Sequence, residues 1–213
     1  MLMTLRTWHV ARRNHTEFAR FTEEKFWPAF DQLDGRALGM WVIRVGGPER
    51  LMIMTSYQSL EHWLGTRAWG AAGDHLRSLS RRRDRLFQDT DLIALLALSR
   101  RQPTADAPEQ EAGVYIHETF RATQADTEHF RELTEDGWAP WAEREGGVRL
   151  VGIWRSYVGP QDQVHVLTRA DSFRTWEARH APGIHCARAL EERAAMSGRT
   201  NLQLLYPLTQ RRP

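Results

Sequence analysis

With 213 residues, 41% of them hydrophobic and 26% charged, the chain has an ordinary globular composition, enough for one large or two small domains. A formal net charge of +2 is too small to argue for nucleic acid, no apolar run reaches the roughly 18 residues of a membrane span, and the N-terminus alternates apolar with polar residues where a signal peptide would carry a continuous apolar core. A single cysteine, Cys186, excludes an internal disulfide and fits a reducing cytoplasm, so a cytoplasmic protein without nucleic-acid or membrane partners is expected.

Met3 to Val10 is the first predicted strand. A helix follows, capped by Asn14 or Thr16, with Phe18, Phe21 and Phe26 at helical spacing; it carries Thr22-Glu23-Glu24 and then Pro28, where it should kink or end. Past Gly35, the stretch from Leu38 to Trp63 reads as strand, turn at Gly47-Pro48, strand, and the start of a helix. A second helical region from about Leu60 to Leu86 is interrupted near Gly70 and Gly73, and Asp91 to Leu98 closes the half. Residues 99–113 are polar, hold two prolines and lack periodicity, which marks a linker.

The same order then recurs. Tyr115 to Arg121 is the strand, and Asp126 or Thr127 caps a helix with Phe130, Leu133, Trp138 and Trp141 on one stripe. That helix has its own Thr134-Glu135-Asp136 and Pro140, and stops at Gly146-Gly147. The hairpin from Val151 to Trp176 matches the earlier one: Trp154 with Trp41, Gly159-Pro160 with Gly47-Pro48, Trp176 with Trp63. Asp171-Ser172 supplies a capping oxygen for a helical region from Phe173 to about Met196, interrupted at Pro182-Gly183, and Asn201 to Leu208 closes the second half. Each half therefore reads β-α-β-β-α-β, the ferredoxin-like unit, whose helices cover one sheet face and leave the other bare. The expected fold class is α+β: two tandem ferredoxin-like repeats, residues 1–98 and 114–213, forming an intrachain pseudo-dimeric α/β barrel. Such a chain is a monomer by internal duplication or a homodimer.

Leu5-Arg6-Thr7-Trp8-His9-Val10, Trp41 to Leu60 with its Thr55-Ser56-Tyr57-Gln58-Ser59, and Val151-Gly152-Ile153-Trp154 leading to Val158-Gly159-Pro160 resemble the NIPSNAP family of the dimeric α/β-barrel superfamily. The resemblance spans both repeats and implies the fold. It implies no agreed catalytic set, since the superfamily includes cofactor-independent monooxygenases, polyketide cyclases, haem-dependent and haem-degrading enzymes, and members of no known activity. The haem-degrading branch has a tryptophan early in the second helix and a histidine about three turns on. Here Trp176 precedes His180 and His185, and Trp63 precedes His75, but the asparagine that branch uses on the first strand is replaced by Arg6 or Glu118. Haem held by His185 is thus kept only as an alternative to a site with no cofactor.

No nucleophile elbow, P-loop, dinucleotide fingerprint or zinc-ligand spacing is present. His180, His185 and Cys186 lie nearest to a metal cluster, but Pro182-Gly183 falls between the histidines and no metal is expected. If Val164, Val166 and Thr168 face the helices, then His165, Leu167 and Arg169 face the barrel interior, where the hairpin partner is expected to add Arg155 and Tyr157. In that chamber His165 would act as acid or base, Arg155 would stabilise an oxyanion and Tyr157 would donate. Met52 and Met54 hold the matching positions of the first half. His117 and Glu118 point to opposite faces, so only one can join the interior; with Trp8, Met52 and Met54 they are the candidate substrate-binding residues.

Blander readings stand beside these. Satisfying a neighbour, or reaching solvent at a strand edge, fits His165 equally well, and Trp8, Trp41, Trp154 and Trp176 fit a core. Arg81-Arg82-Arg83-Asp84-Arg85 fits a solvated helix end, and Glu23-Glu24 and Glu135-Asp136 fit solvated helix faces. The expected function is a small-molecule enzyme acting on a hydrophobic, oxygenated substrate by isomerisation, cyclisation or cofactor-free oxygenation, in the specialised metabolism of a bacterium. A non-catalytic binding or assembly protein is the second reading, and a haem-binding or haem-degrading protein the third.

Overall fold

A computed structural model describes residues 1–67, 73–101, 113–178 and 187–208. The first four strands are β1 (Leu2–Val10), β2 (Arg36–Val45), β3 (Leu51–Tyr57) and β4 (Phe87–Ala97). The last four are β5 (Val114–Arg121), β6 (Val148–Val158), β7 (Gln163–Ala170) and β8 (Gly198–Pro207). All eight close into one antiparallel barrel in the order β1-β3-β2-β8-β5-β7-β6-β4. Within it the first half runs β4-β1-β3-β2 and the second β8-β5-β7-β6, the same order. Two seams join the halves: Trp41 of β2 opposes Pro207 of β8, and Trp154 of β6 opposes Ala97 of β4.

Side chains alternate across each strand, so the ring has an inner and an outer face. Met3, Leu5, Trp41, Met52, Met54, Leu95, Tyr115, Trp154, Leu167 and Leu205 form one buried cluster on the inner face. Trp41 and Trp154 are each 1% exposed. This fill corrects the expected open chamber: two indoles and three methionine side chains, with their apolar neighbours, occupy the volume that a substrate would need. Close packing also explains a glycine. A Cβ on Gly152 would stand 2.6 Å from the Trp154 ring, because the indole folds back over its neighbour on the same face.

Helices cover the outer face. Over the first half lie α1 (His15–Phe21), a π-helical turn (Thr22–Phe26), α2 (Trp27–Asp31), α3 (Leu60–Gly65) and α4 (Gly73–Arg83). Over the second lie α5 (Thr127–Arg131), a π-helical segment (Glu132–Trp138), α6 (Ala139–Arg144), α7 (Phe173–Ala178) and α8 (Ala187–Met196). The predicted proline kinks take this widened form in both copies. Pro28 and Pro140 have no N–H for the carbonyl four residues back, and a wider turn before each lets the helix continue, with the proline in the first turn of the next segment. Asn14 and Asp126 occupy cap positions without capping through their side chains, whereas Ser59 and Ser172 accept from the backbone N–H of His62 and Thr175 at 3.0 and 3.1 Å.

One acidic pair departs from its expected solvation. Glu135 is 3% exposed and accepts from Ser99 Oγ, the backbone N–H groups of Arg100 and Arg101, and Arg131 Nη1. Burial pushes its carboxyl up, but those donors outweigh it and hold it below the usual range. Glu135 thereby pins the start of the linker to the second half's π-helical segment. Replacing Gly152 by Ala is expected to cost about 1–3 kcal/mol through overpacking against Trp154, read as a lower urea midpoint at unchanged m-value.

Candidate functional site

Inside the barrel, strand register fixes what the sequence left open. His117 opposes Leu167 and Gln203 and points inward, while Glu118 opposes Val166 and Leu202 and points to the helices. His165 opposes Trp154 and also points inward, as expected. Arg155 and Tyr157 do not join it. Arg155 opposes Val164, on the helix-facing side, and Tyr157 shares that parity and is 41% exposed. The residues that share the inner face with His165 are Trp154 and Ser156.

Four inner side chains make a chain of hydrogen bonds across β6, β7, β5 and β8. Ser156 Oγ lies 3.1 Å from His165 Nε2, His165 Nδ1 lies 3.1 Å from His117 Nε2, and His117 Nδ1 lies 3.0 Å from Gln203 Oε1. With the amide oxygen of Gln203 accepting, one tautomer assignment satisfies all three links. His117 then donates to Gln203, His165 donates to His117, and Ser156 donates to His165. Burial and then the neighbouring His117 push His165 down to about 3, and burial lowers His117 also. Both rings are neutral near pH 7 and satisfied by each other, and Ser156 and His165 are each 2% exposed. The relay serves the core as a closed polar network. Met52 and Met54, proposed to bind substrate, are core fill.

The cavity lies elsewhere, on the outer face of the first half. It measures about 320 Å³ and sits between β1, β3 and the helices above them. Thr4, Arg6 and Trp8 alternate onto this face from β1, as do Ile53, Thr55 and Tyr57 from β3. The π-helical turn contributes Thr22 and Phe26, and α4 contributes Leu76, Ser80 and Arg83. Arg67 and Asp84 complete its charged lining. Of the proposed site residues, only Trp8 lies here.

Arg83 is the residue that the sequence hid. It sits in the arginine run read as a solvated helix end, yet it is 8% exposed. Leu76, Leu79 and Arg83, at helical spacing, share the inward side of α4, and that spacing was the available signal. The Arg83 Cζ lies 4.2 Å from the Trp8 ring centre and 3.8 Å from that of Phe26, so aromatic faces cover the guanidinium. Burial and then the Arg6 charge push it down to about 9, and burial and then Arg67 push Arg6 down to about 10. Both are cations at neutral pH. Arg67 donates to Tyr57 Oη at 3.0 Å. The buried atoms Arg83 Nε, Trp8 Nε1 and Thr22 Oγ1 have no hydrogen-bond partner among the described residues.

The second half arranges the matching side chains differently. Arg193 on α8 corresponds to Arg83 and lies over Phe120 and Trp138, which correspond to Trp8 and Phe26. It reaches Thr134 Oγ1, the counterpart of Thr22, at 3.5 Å. Glu118 stands where the first half has Arg6, and Arg199 pairs with it at 3.2 Å. Helix α8 also seats close to the π-helical segment: a Cβ on Gly137 would lie 3.1 Å from Ala189 Cβ. Arg193 and Glu118 thus have partners within their half, whereas Arg83 and Arg6 have neither a hydrogen bond nor an ion pair among the described residues.

The described cavity lining does not suit haem, whose iron is held by histidine, cysteine, methionine or tyrosine. Of these the lining holds only Tyr57, which already receives Arg67. Among the described residues no cluster of three or more His, Cys, Asp or Glu is arranged to hold a metal ion, and no helix is long and apolar enough to cross a membrane. His180, His185 and Cys186 lie outside the described residues.

No protein-family model matches the sequence, and no curated protein matches it. Solved structures do match. A proposed monooxygenase from Lactobacillus acidophilus NCFM superposes with a TM-score of 0.67 over 98% of this chain and 94% of its own, at 12% identity. The chain has the dimeric α/β-barrel fold. An anthrone oxidase-like protein superposes with a TM-score of 0.62 over 99% of this chain and 92% of its own, at 14% identity. A NIPSNAP domain protein from Burkholderia xenovorans also matches, over 47% of this chain and 97% of its own, at 18% identity and a TM-score of 0.41.

The histidine relay has a consequence for stability. A histidine whose folded pKa lies below its unfolded value of about 6.5 is protonated more readily in the unfolded chain, so its stabilising effect is present above that pH and fades as pH falls toward the folded value. Urea midpoints should therefore fall between pH 7 and pH 5, before most carboxylates titrate, and the fall should be shallower in His165→Asn than in the parent chain.

Proposed function

We propose that the two halves are copies of one ferredoxin-like unit, and that the cavity of the first copy is the working site of a small-molecule enzyme. The observation that carries this reading is the cavity's charged lining: Arg6, Arg67 and Arg83 border one space of about 320 Å³ beside a single carboxylate, Asp84. Guanidinium groups around an otherwise apolar space fit a bound oxygenated molecule. The aromatic and aliphatic lining (Trp8, Phe26, Trp27, Phe30, Leu76) suits an apolar body.

Isomerisation, cyclisation and cofactor-free oxygenation share a first step, loss of a proton to give an enolate or phenolate. Guanidinium groups in a site screened from water stabilise that oxyanion strongly. Arg83 and Arg6 are placed for this role, and Asp84 and Tyr57 are the titratable groups of the lining that could exchange a proton. The proteins named as a proposed monooxygenase and as anthrone oxidase-like share the fold and support an oxygen-handling chemistry by analogy only. No resident cofactor is needed for these steps, and the single cysteine supports a cytoplasmic setting. The absence of histidine from the described lining favours the second reading, a binding protein without catalysis.

A panel of polycyclic phenols and enolisable ketones separates the two. Binding measured by calorimetry should be weakened at least tenfold in Thr55→Phe, whose ring would fill the cavity, while the thermal midpoint stays near that of the parent. Turnover would appear as oxygen uptake for oxygenation, or as a changed absorbance without it for isomerisation or cyclisation. Binding without turnover would favour the second reading, and binding that survives Thr55→Phe would move the site elsewhere.

A further inference from the structure

We infer that the first-half cavity takes an oxyanion on a flat apolar body: an aromatic or conjugated acid whose carboxylate, or equivalent planar anion, docks on the edge of Arg83. This rests on the cavity being the working site and adds the charge of what it binds. The argument starts from how Arg83 is held. The Trp8 and Phe26 ring centres lie 4.2 and 3.8 Å from its guanidinium carbon, so two aromatic rings screen the cation from water while its residue borders the cavity. A guanidinium edge matches the two oxygens of a planar anion.

Charge balance points the same way. Arg6, Arg67 and Arg83 line one small space against a single carboxylate, Asp84, which is exposed. Neither Arg6 nor Arg83 has a hydrogen bond or ion pair among the described residues; their contacts are with aromatic rings. A buried cation without a counter-charge is costly, and a neutral ligand would leave that cost in place while removing water. The second half shows the alternative resolution in the same fold. There the Arg6 position is Glu118, paired with Arg199, and the arginine over the aromatic pair reaches a threonine. The first half lacks each of these internal answers, and an anion from outside supplies what they supply.

The test compares 2-naphthoate with its neutral isostere 2-naphthamide by isothermal titration calorimetry on the full chain. Naphthoate is expected to bind at least tenfold more tightly. Arg83→Met should remove that preference, weakening naphthoate at least tenfold while naphthamide changes less than about threefold. If Arg83→Met does not fold, Arg6→Gln, at the half-buried end of the cluster, should lower the preference in the same direction by at least threefold. Equal affinity for the two probes, or a preference that survives both substitutions, would overturn the anion and leave the cavity as a site for neutral molecules. Failure of both probes to bind, with the panel above also silent, would overturn the cavity reading itself.

Discussion

Each four-stranded half of this chain would show water an apolar sheet face if it stood alone. The seams β2–β8 and β4–β6 remove both faces at once by rolling the strands into one ring. Trp41 and Trp154, flanked by Met52, Met54, Leu167 and Leu205, then form a core that belongs to neither half. A fully buried large side chain contributes about 1.5–3 kcal/mol relative to exposure, so this shared cluster is a major part of what holds the halves together. Its filling also decides where ligands cannot go. With the inner face used for cohesion, the cavity described above lies on the outer face, beneath the helices.

On that outer face the same architecture arrives at two endings. Both halves place an arginine from the last helix over an aromatic from the first strand and another from the π-helical stretch. What differs is the residue beside it. Arg6 adds a second positive charge, whereas Glu118 brings a negative one and recruits Arg199. The residue at that position thus decides whether the neighbouring charge is paired within its own half. The polar inner residues His117, Ser156 and His165, for their part, are occupied with one another.

Much of the fold was legible because it rests on local patterns. Period-two alternation located β1 and β7, the Gly-Pro turns located both hairpins, and the matched tryptophans set one hairpin against the other, whereas β5, apolar on both faces, showed no such alternation. The hairpin register was not legible. The last pair of β6 and β7 is Arg155 with Val164, and Tyr157 and Val158 run on past that partner to lie along β4, so centring the turn on Gly159-Pro160 slips parity by one residue. Trp154, rather than Arg155, then lies beside His165. The sequence placed His165 on the inner face correctly but could not show that the inner face is full. Glu135 and Arg83 were misread for a related reason. Their burial depends on distant partners, the linker backbone at Arg100 and Arg101 in one case and the aromatic pair Trp8 and Phe26 in the other; the helix holding Glu135 carries no trace of its partner, and α4 carries only the Leu76-Leu79-Arg83 spacing.

Closure of the ring has one more effect. An open sheet ends in a strand whose N–H and C=O groups face outward, and such a rim invites pairing with another chain, whether for assembly or for aggregation. Here β1 is flanked by β3 and β4, β8 by β2 and β5, and every other strand likewise has two neighbours. The barrel keeps a free rim where a strand runs beyond its seam, as residues 87–93 of β4 and 198–203 of β8 do, each paired on one side among the described residues. A second molecule that extends the sheet would have those segments to pair with, and elsewhere would meet side chains on helices and loops.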